Sequence, residues 1–167
     1  MITRVLYCLA GTAILFLSPA AATVDALPGY ASAGYAEGGG MGGPGWQITQ
    51  VRKEGSIYQR LTGTLAWTVD ARSSLLKDEL RPQVVRHTIS ETEFAEIWKL
   101  VEAGGLRERK QLDADRPPPD GGYSVFVVRW GAAPNTAQTN DLVFRSDTAT
   151  YKIVAPVIRA LEKPRAR

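Results

Sequence analysis

The chain has 167 residues, of which 20 are Lys or Arg and 17 are Asp or Glu, for a formal net charge of +3. One cysteine, Cys8, and one histidine, His87, are present. One thiol excludes a disulfide framework within the chain, and one imidazole excludes a zinc site built from several Cys and His ligands. Basic residues are interspersed with acidic ones, as between Glu91 and Lys99 and in the run from Arg107 to Lys110. This mixture excludes the one-sided basic surface typical of nucleic-acid binding.

The N-terminus has the three regions of a secretory signal peptide. Arg4 is followed by an apolar run over residues 5 to 17 and then by small residues up to Ala22. This order is typical of export, and the run is shorter than the roughly 20 apolar residues that span a membrane. Residues 1 to 22 are therefore predicted to be a cleaved signal peptide of a periplasmic or secreted protein. A buried N-terminal helix or an uncleaved anchor is the alternative.

A glycine-rich segment follows. Seven of the twelve residues from 34 to 45 are glycine, which loses the most conformational freedom on ordering. Residues 23 to 45 are therefore predicted to be a flexible tether. A phosphate-binding loop is the alternative, but it requires a preceding strand and a Gly-Lys-Ser/Thr motif or helix start after it. The composition changes at Trp46, and residues 46 to 167 are predicted to form a single folded domain.

Three strands are predicted in the first half of that domain. Trp46 and Ile48 begin the first strand, and residues 57 to 70 form the second, in which apolar and polar residues alternate. The third strand begins after Pro82. It places three residues on one face: Val85, His87 and Ile89.

Residues 91 to 103 are predicted to form a helix. Ser90 and Glu93 form a capping box at its start, and Gly104 and Gly105 end it, with Leu106 folding back as in a Schellman motif. Four apolar residues recur at helical spacing and are predicted to lie in the core: Phe94, Ile97, Trp98 and Val101. A ligand pocket lined by the two aromatic residues is the alternative.

The residues after this helix include three nearby carboxylates, those of Asp113, Asp115 and Asp120. Closely spaced acids are typical of calcium sites, but here prolines take positions at which a ligand and a glycine turn would be needed. The segment is therefore predicted to be an exposed loop, and a calcium site is the alternative. His87 is predicted to be structural, because zinc requires further ligands.

The second half of the domain predicts a hairpin and a helix. Residues 123 to 130 are apolar on both faces, as in an interior strand, and residues 141 to 145 form its antiparallel partner after a turn over residues 131 to 140. Asp147 is predicted to cap a final helix that Pro156 kinks. Four residues form its apolar stripe: Tyr151, Val154, Ile158 and Leu161. Together the elements predict an α+β fold, with an antiparallel sheet of about five strands and two amphipathic helices on one face.

The order of these motifs resembles a pattern in small exported bacterial domains of unknown function. The matching segments are Thr68-Val69-Asp70, residues 89 to 98, the Ala-Gly-Gly-Leu ending at 103 to 106, Tyr123-Ser124-Val125 and the helix over 151 to 161. The same coarse order is similar to that of emfourin-type metalloprotease inhibitors. The resemblance implies an α+β fold and, through the second family, a protease-binding role. It assigns no inhibitory residue to this chain.

The sequence contains no recognisable catalytic motif, since no serine lies in a Gly-x-Ser-x-Gly turn. A small hydrolase with an acid pair assembled by the fold is one alternative. The prediction is an exported, non-enzymatic protein-binding module, such as an inhibitor of an exported protease, with no catalytic, cofactor or metal residues. Its partner is expected to be an exported or envelope protein, with no nucleic acid and no membrane span after signal cleavage. An envelope-associated accessory domain is the other alternative. A binding module should display a contiguous apolar surface or a free edge strand.

Overall fold

A computed structural model of the chain describes residues 27–38, 47–53, 57–61, 72, 75–76, 84–116 and 122–164. Within these ranges the strands are β1 (Tyr30–Gly38), β2 (Gln47–Arg52), β3 (Ile57–Leu61), β4 (Val84–Thr88), β5 (Tyr123–Gly131) and β6 (Gln138–Phe144). The helices are α1 (Glu91–Ala103) and α2 (Ala149–Glu162), and two short 3₁₀ turns cover Asp113–Asp115 and Pro134–Thr136. None of the helices in the described ranges is long and apolar enough to cross a membrane.

The strands form one antiparallel sheet in the order β4-β3-β2-β1-β5-β6. Both helices pack on the same face of this sheet, which we call the helix face. The α+β prediction is therefore confirmed, and the described sheet has six strands where about five were expected. The additional strand is β1, which lies between β2 and β5.

The main core lies between the helix face and the two helices. Alternate residues of each strand point toward it, because side chains in a strand alternate between the two sides. The sheet contributes Ala31, Ala33, Tyr35, Val51, Phe126, Val128, Leu142 and Phe144, and the helices contribute Phe94, Ile97, Trp98, Val101, Val154, Val157, Ile158 and Leu161. A smaller apolar cluster on the opposite face contains Ala36, Ile48, Leu75, Val125 and Val127.

The predicted flexible tether is wrong for the part that the structure describes. Tyr30–Gly38 is a strand that pairs with β2 on one side and with β5 on the other. Two ladders of main-chain hydrogen bonds and burial on both faces outweigh the entropic cost of the glycines, about 1 kcal/mol for each. The folded domain therefore begins before Trp46. The predicted signal peptide, residues 1 to 22, lies outside the described residues.

Helix α1 follows its prediction closely. The Glu93 amide donates to Ser90 Oγ at 3.1 Å, and the four apolar residues of the predicted stripe are buried. At the C-terminus Leu106 N donates to the Val101 carbonyl, and Gly105 has a left-handed φ of 59°. This is the Schellman ending that the two glycines predicted.

The other elements confirm most of the predicted order. β2, β4 and the interior strand β5 are present, and residues 62 to 70 of the predicted second strand lie outside the described residues. β6 begins at Gln138, three residues before its predicted start, and α2 is continuous through Pro156. The predicted Asp147 cap is wrong: Thr148 Oγ1 accepts from the Tyr151 amide, and Asp147 pairs with Arg145 at 2.9 Å.

Candidate functional site

The outer edge of β6 is the candidate functional site. β6 is the last strand in the sheet order and pairs with β5 along Gln138–Phe144. Main-chain groups of alternate residues in an antiparallel strand point to opposite sides. Val143 points away from β5, because both its N–H and its carbonyl bond the side chain of Gln111. Thr139 and Asp141 share this alternation, so their main-chain groups also point outward.

The outward main-chain groups of Thr139 and Asp141 form what we call the β6 docking edge. Across the part of the chain that the structure describes, no group bonds these two amides and two carbonyls. The Thr139 side chain is exposed and that of Asp141 is half-buried. A row of such groups at the edge of a sheet is a template for pairing with another extended chain.

Gln111 shows how this edge binds. Its Nε2 donates to the Val143 carbonyl at 2.8 Å, and the Val143 amide donates to its Oε1 at 2.7 Å. A side-chain amide offers the same donor and acceptor as a peptide group. Gln111 therefore takes the place that a residue of a neighbouring strand would take, and the docking edge begins directly beside it.

The connection after α1 runs alongside β6 and is fixed there by Asn140. The Asn140 side chain lies on the helix face, and its Nδ2 donates to the Leu106 carbonyl at 2.7 Å and to the Arg109 carbonyl at 2.9 Å. Gln111 then reaches Val143. Residues 106 to 111 therefore form the helix-face border of the docking edge.

This border brings positive charge to the edge. Arg107 pairs with two carboxylates, since its Nη1 lies 3.1 Å from Glu102 Oε1 and its Nε lies 3.2 Å from Glu108 Oε1. Arg109 donates to the Gly104 carbonyl, and Lys110 is exposed. In the described ranges neither of these two cations has a carboxylate partner. 

The acid on the docking edge itself, Asp141, pairs with Arg72 at 2.8 Å. Its charge is thereby compensated, and the basic border is left without an acidic counterpart on the edge strand. In this border the three cations Arg107, Arg109 and Lys110 exceed the two carboxylates of Glu102 and Glu108, so it carries a net positive charge.

A second polar cluster lies on the face opposite the helices. Arg52 and Arg129 flank Ser32 in the cross-strand register. The Arg129 guanidinium lies over the Tyr30 ring, 5.4 Å from its centroid, and donates to the Tyr30 hydroxyl at 3.3 Å and to the Pro134 carbonyl at 3.2 Å. These contacts hold β1 against β5 and the turn before β6, which is a structural role.

Among the described residues, Tyr35 has a side-chain pKa far from its ordinary value. Burial raises the pKa of its hydroxyl well above the ordinary value, and hydrogen bonding to Glu37 acts in the same direction. The hydroxyl donates to Glu37 Oε2 at 2.7 Å and lies 3.3 Å from Ser124 Oγ. A tyrosine held in its neutral form is not a base at physiological pH, so this group also has a structural role.

The acidic segment after α1 contains one residue whose environment was not predicted. Asp113 is exposed, as expected, but Asp115 is buried and its carboxylate accepts hydrogen bonds from the amide and the hydroxyl of Thr150. It thereby ties the 3₁₀ turn to the first turn of α2. Asp120 lies outside the described residues.

The described residues contain no group of three or more His, Cys, Asp and Glu side chains placed to hold a metal ion. His87 lies half-buried on β4, where its backbone is paired with that of Tyr58. Among the described residues, Leu112 is a large apolar residue that is substantially exposed, with 48 % of its surface accessible to solvent.

A free edge strand is one of the two docking surfaces expected of a binding module, but the sequence does not indicate which strand lies at the edge. The polar run Gln138-Thr139-Asn140 falls within the turn predicted over residues 131 to 140, but it belongs to β6. Thr139, with its β-branched side chain, was the available signal for a strand there. A search against models of protein families and a search of curated proteins each found no match to this chain.

Proposed function

We propose that this protein is an exported, non-enzymatic binding module that pairs with an extended segment of another exported protein along the β6 docking edge. The observation that carries the proposal is the outward main chain of Thr139 and Asp141, which no described residue bonds, next to a Gln111 side chain that already bonds the same edge as a strand would. Strand addition to a sheet edge derives affinity from main-chain hydrogen bonds and specificity from alternate side chains.

An edge is better supported than an apolar docking surface. Protein-binding surfaces built on apolar contact expose contiguous patches of several hundred Å². The exposure of Leu112 is an isolated case in the described part of the chain. Main-chain pairing at β6 does not depend on such a patch.

Export is supported by the order of basic, apolar and small residues over positions 1 to 22. The mature protein is expected to begin within a few residues of Thr23. Intact-mass measurement of the protein from its host's periplasmic or culture fraction tests this. Recovery of the chain with Met1 still present from the cytosol would contradict export.

The narrower function of protease inhibition has the support of the resemblance to emfourin-type inhibitors. If the protein inhibits a protease through the β6 docking edge, Thr139→Pro, which removes the Thr139 amide, should relieve inhibition of the host's exported metalloprotease.

The docking edge is tested with two variants at one position. Thr139→Pro removes the outward amide and places a ring on the edge, whereas Thr139→Ala removes the side chain and keeps the amide. Proline is tolerated in edge strands where its nitrogen faces solvent, so the sheet should remain intact. Far-ultraviolet circular dichroism and the melting temperature verify folding of both variants.

The probe is a library of random heptapeptides displayed on phage and selected against the mature wild-type protein. Selected peptides are expected to bind wild type and Thr139→Ala equally and to lose at least about tenfold in affinity for Thr139→Pro. Hydrogen exchange of the Thr139 and Asp141 amides should slow in the complex. Peptides that bind Thr139→Pro as tightly as wild type, or that leave both amides unprotected, would refute the proposal.

A further inference from the structure

We infer that the segment bound at the β6 docking edge is acidic, with carboxylate side chains at the alternate positions that face the helix side of the sheet. This inference rests on the proposed function, and it names the chemistry of the partner.

The first observation is the uneven charge around the edge. Arg109 and Lys110 lie in the border between Asn140 and Val143, and neither has a carboxylate partner among the described residues. Arg107 pairs with both Glu102 and Glu108, and Asp141 pairs with Arg72. The three cations of the border exceed the two carboxylates that pair with Arg107, so a net positive charge remains for a bound ligand to compensate.

The second observation is their position relative to an added strand. Asn140 lies on the helix face and bonds the Arg109 carbonyl, and Gln111 bonds the Val143 main chain. Lys110 lies between these two contacts in the chain. Side chains on the helix side of an added strand would run along this border, while those at intervening positions would lie beside Thr139 and Asp141. An alternating acidic peptide matches this arrangement, because opposite charges across an interface stabilise it.

A second copy of this chain fits less well. Two β6 strands paired antiparallel about Asn140 would bring two copies of the Arg109 and Lys110 border to the same region. Like charges brought together at an interface cost free energy. Charge therefore favours a different, acidic partner over self-association.

The experiment compares three synthetic heptapeptides with capped ends, in which Val alternates with Glu, Gln or Lys. Each is titrated by isothermal calorimetry into the mature protein and its variants at low salt and at about 0.5 M salt, where exposed charges are largely screened. Lys110→Glu reverses one charge of the border. Arg159→Glu makes the same change of charge on the exposed side of α2 and is the matched control.

The Glu peptide is expected to bind about three- to tenfold tighter than the Gln peptide at low salt, as for one or two exposed ion pairs, and the difference should shrink at high salt. Lys110→Glu should abolish the preference, and Arg159→Glu should retain it. Thr139→Pro should abolish binding of both peptides.

Equal binding of the Glu and Gln peptides, both lost in Thr139→Pro, would refute the acidic partner while leaving the docking edge intact. Tightest binding of the Lys peptide would do the same. Peptide binding that Thr139→Pro leaves unchanged would instead refute the docking edge itself, and the acidic partner with it. Sedimentation tests for self-association. If the wild type dimerises and Thr139→Pro does not, a second copy occupies the edge, which would also overturn the inference.

Discussion

Gly34 and Leu75 occupy one space on the face of the sheet opposite the helices. A Cβ atom at Gly34 would fall well inside van der Waals contact with Leu75 Cδ2. Leu75 is 1 % exposed and belongs to the smaller apolar cluster with residues of β1, β2 and β5. Residue 34 in this interior strand is therefore a glycine because the Leu75 side chain fills the space that a Cβ atom would need.

Gly34→Ala should destabilise the protein by about 1–3 kcal/mol, because it overpacks a filled site. Leu75→Ala should cost about 2–5 kcal/mol through the cavity it leaves. In the double variant the new methyl group enters that cavity, so the combined loss should be smaller than the sum. Urea unfolding of the four proteins measures this coupling. Strictly additive losses would show that the two positions do not share one space.

The sequence predicted α1 well because its signals are local. The cap, the apolar stripe and the glycine ending all lie within the 17 residues from 90 to 106, and each acts on its neighbours in the chain. At β1 the glycines predict a flexible segment, and this prediction is wrong for Tyr30–Gly38. The packing role of Gly34 depends on Leu75, which lies 41 positions further along the chain and packs against the strand.

The docking edge depends on contacts between residues that are far apart in the sequence, so local patterns do not predict it. Gln111 bonds Val143, and Asp115 bonds Thr150, across separations of 32 and 35 residues. No periodicity connects such residues. Edge strands commonly carry polar residues. The sequence around Gln138 therefore resembles that of a turn.

Trp98→Ala should reduce the free energy of unfolding by about 3–5 kcal/mol. Trp98 is 3 % exposed and stacks on Phe94, with ring centroids 6.1 Å apart. The neighbouring Lys99 is exposed, and Lys99→Ala, the matched control, should change stability by less than about 0.5 kcal/mol. Urea unfolding measures both. A Trp98→Ala protein of unchanged stability that no longer binds its partner would make Trp98 an interface residue.

The bond between Asp115 and Thr150 should be worth about 1.5–3 kcal/mol, the range for hydrogen bonds to charged groups. Thr150→Val removes the hydroxyl donor and leaves the carboxylate buried, so it should destabilise the protein by about this amount. Thr150→Ser keeps the hydroxyl and is the control. Thermal unfolding compares the two variants. Equal stabilities would show that the hydroxyl bond contributes nothing.

Removal of divalent cations should leave the melting temperature unchanged. A metal bound by the folded state would stabilise it by mass action, and its loss would lower the melting point. Asp115 binds Thr150, and Asp113 lies 3.6 Å from Arg116, so both acids already have partners in the chain. Differential scanning calorimetry with and without EDTA tests this. A fall of several degrees, restored by calcium or zinc, would show a metal site and reopen the hydrolase alternative.

Tyr35 should make the protein sensitive to alkaline pH. Burial raises its pKa in the folded state above the ordinary value of 10.0, so its stabilising contribution is complete below that value and is lost progressively as the pH rises from there toward the raised pKa of the folded state. Above about pH 10 the unfolded chain releases this proton while the folded chain retains it, which favours unfolding. Tyr35→Phe should cost about 1 kcal/mol at neutral pH, through the lost bonds to Glu37 and Ser124. Its stability should then fall less steeply than that of wild type between about pH 9 and 11, as measured by urea unfolding across that range. Parallel curves for the two proteins would show that the Tyr35 hydroxyl ionises equally easily in the folded and unfolded states.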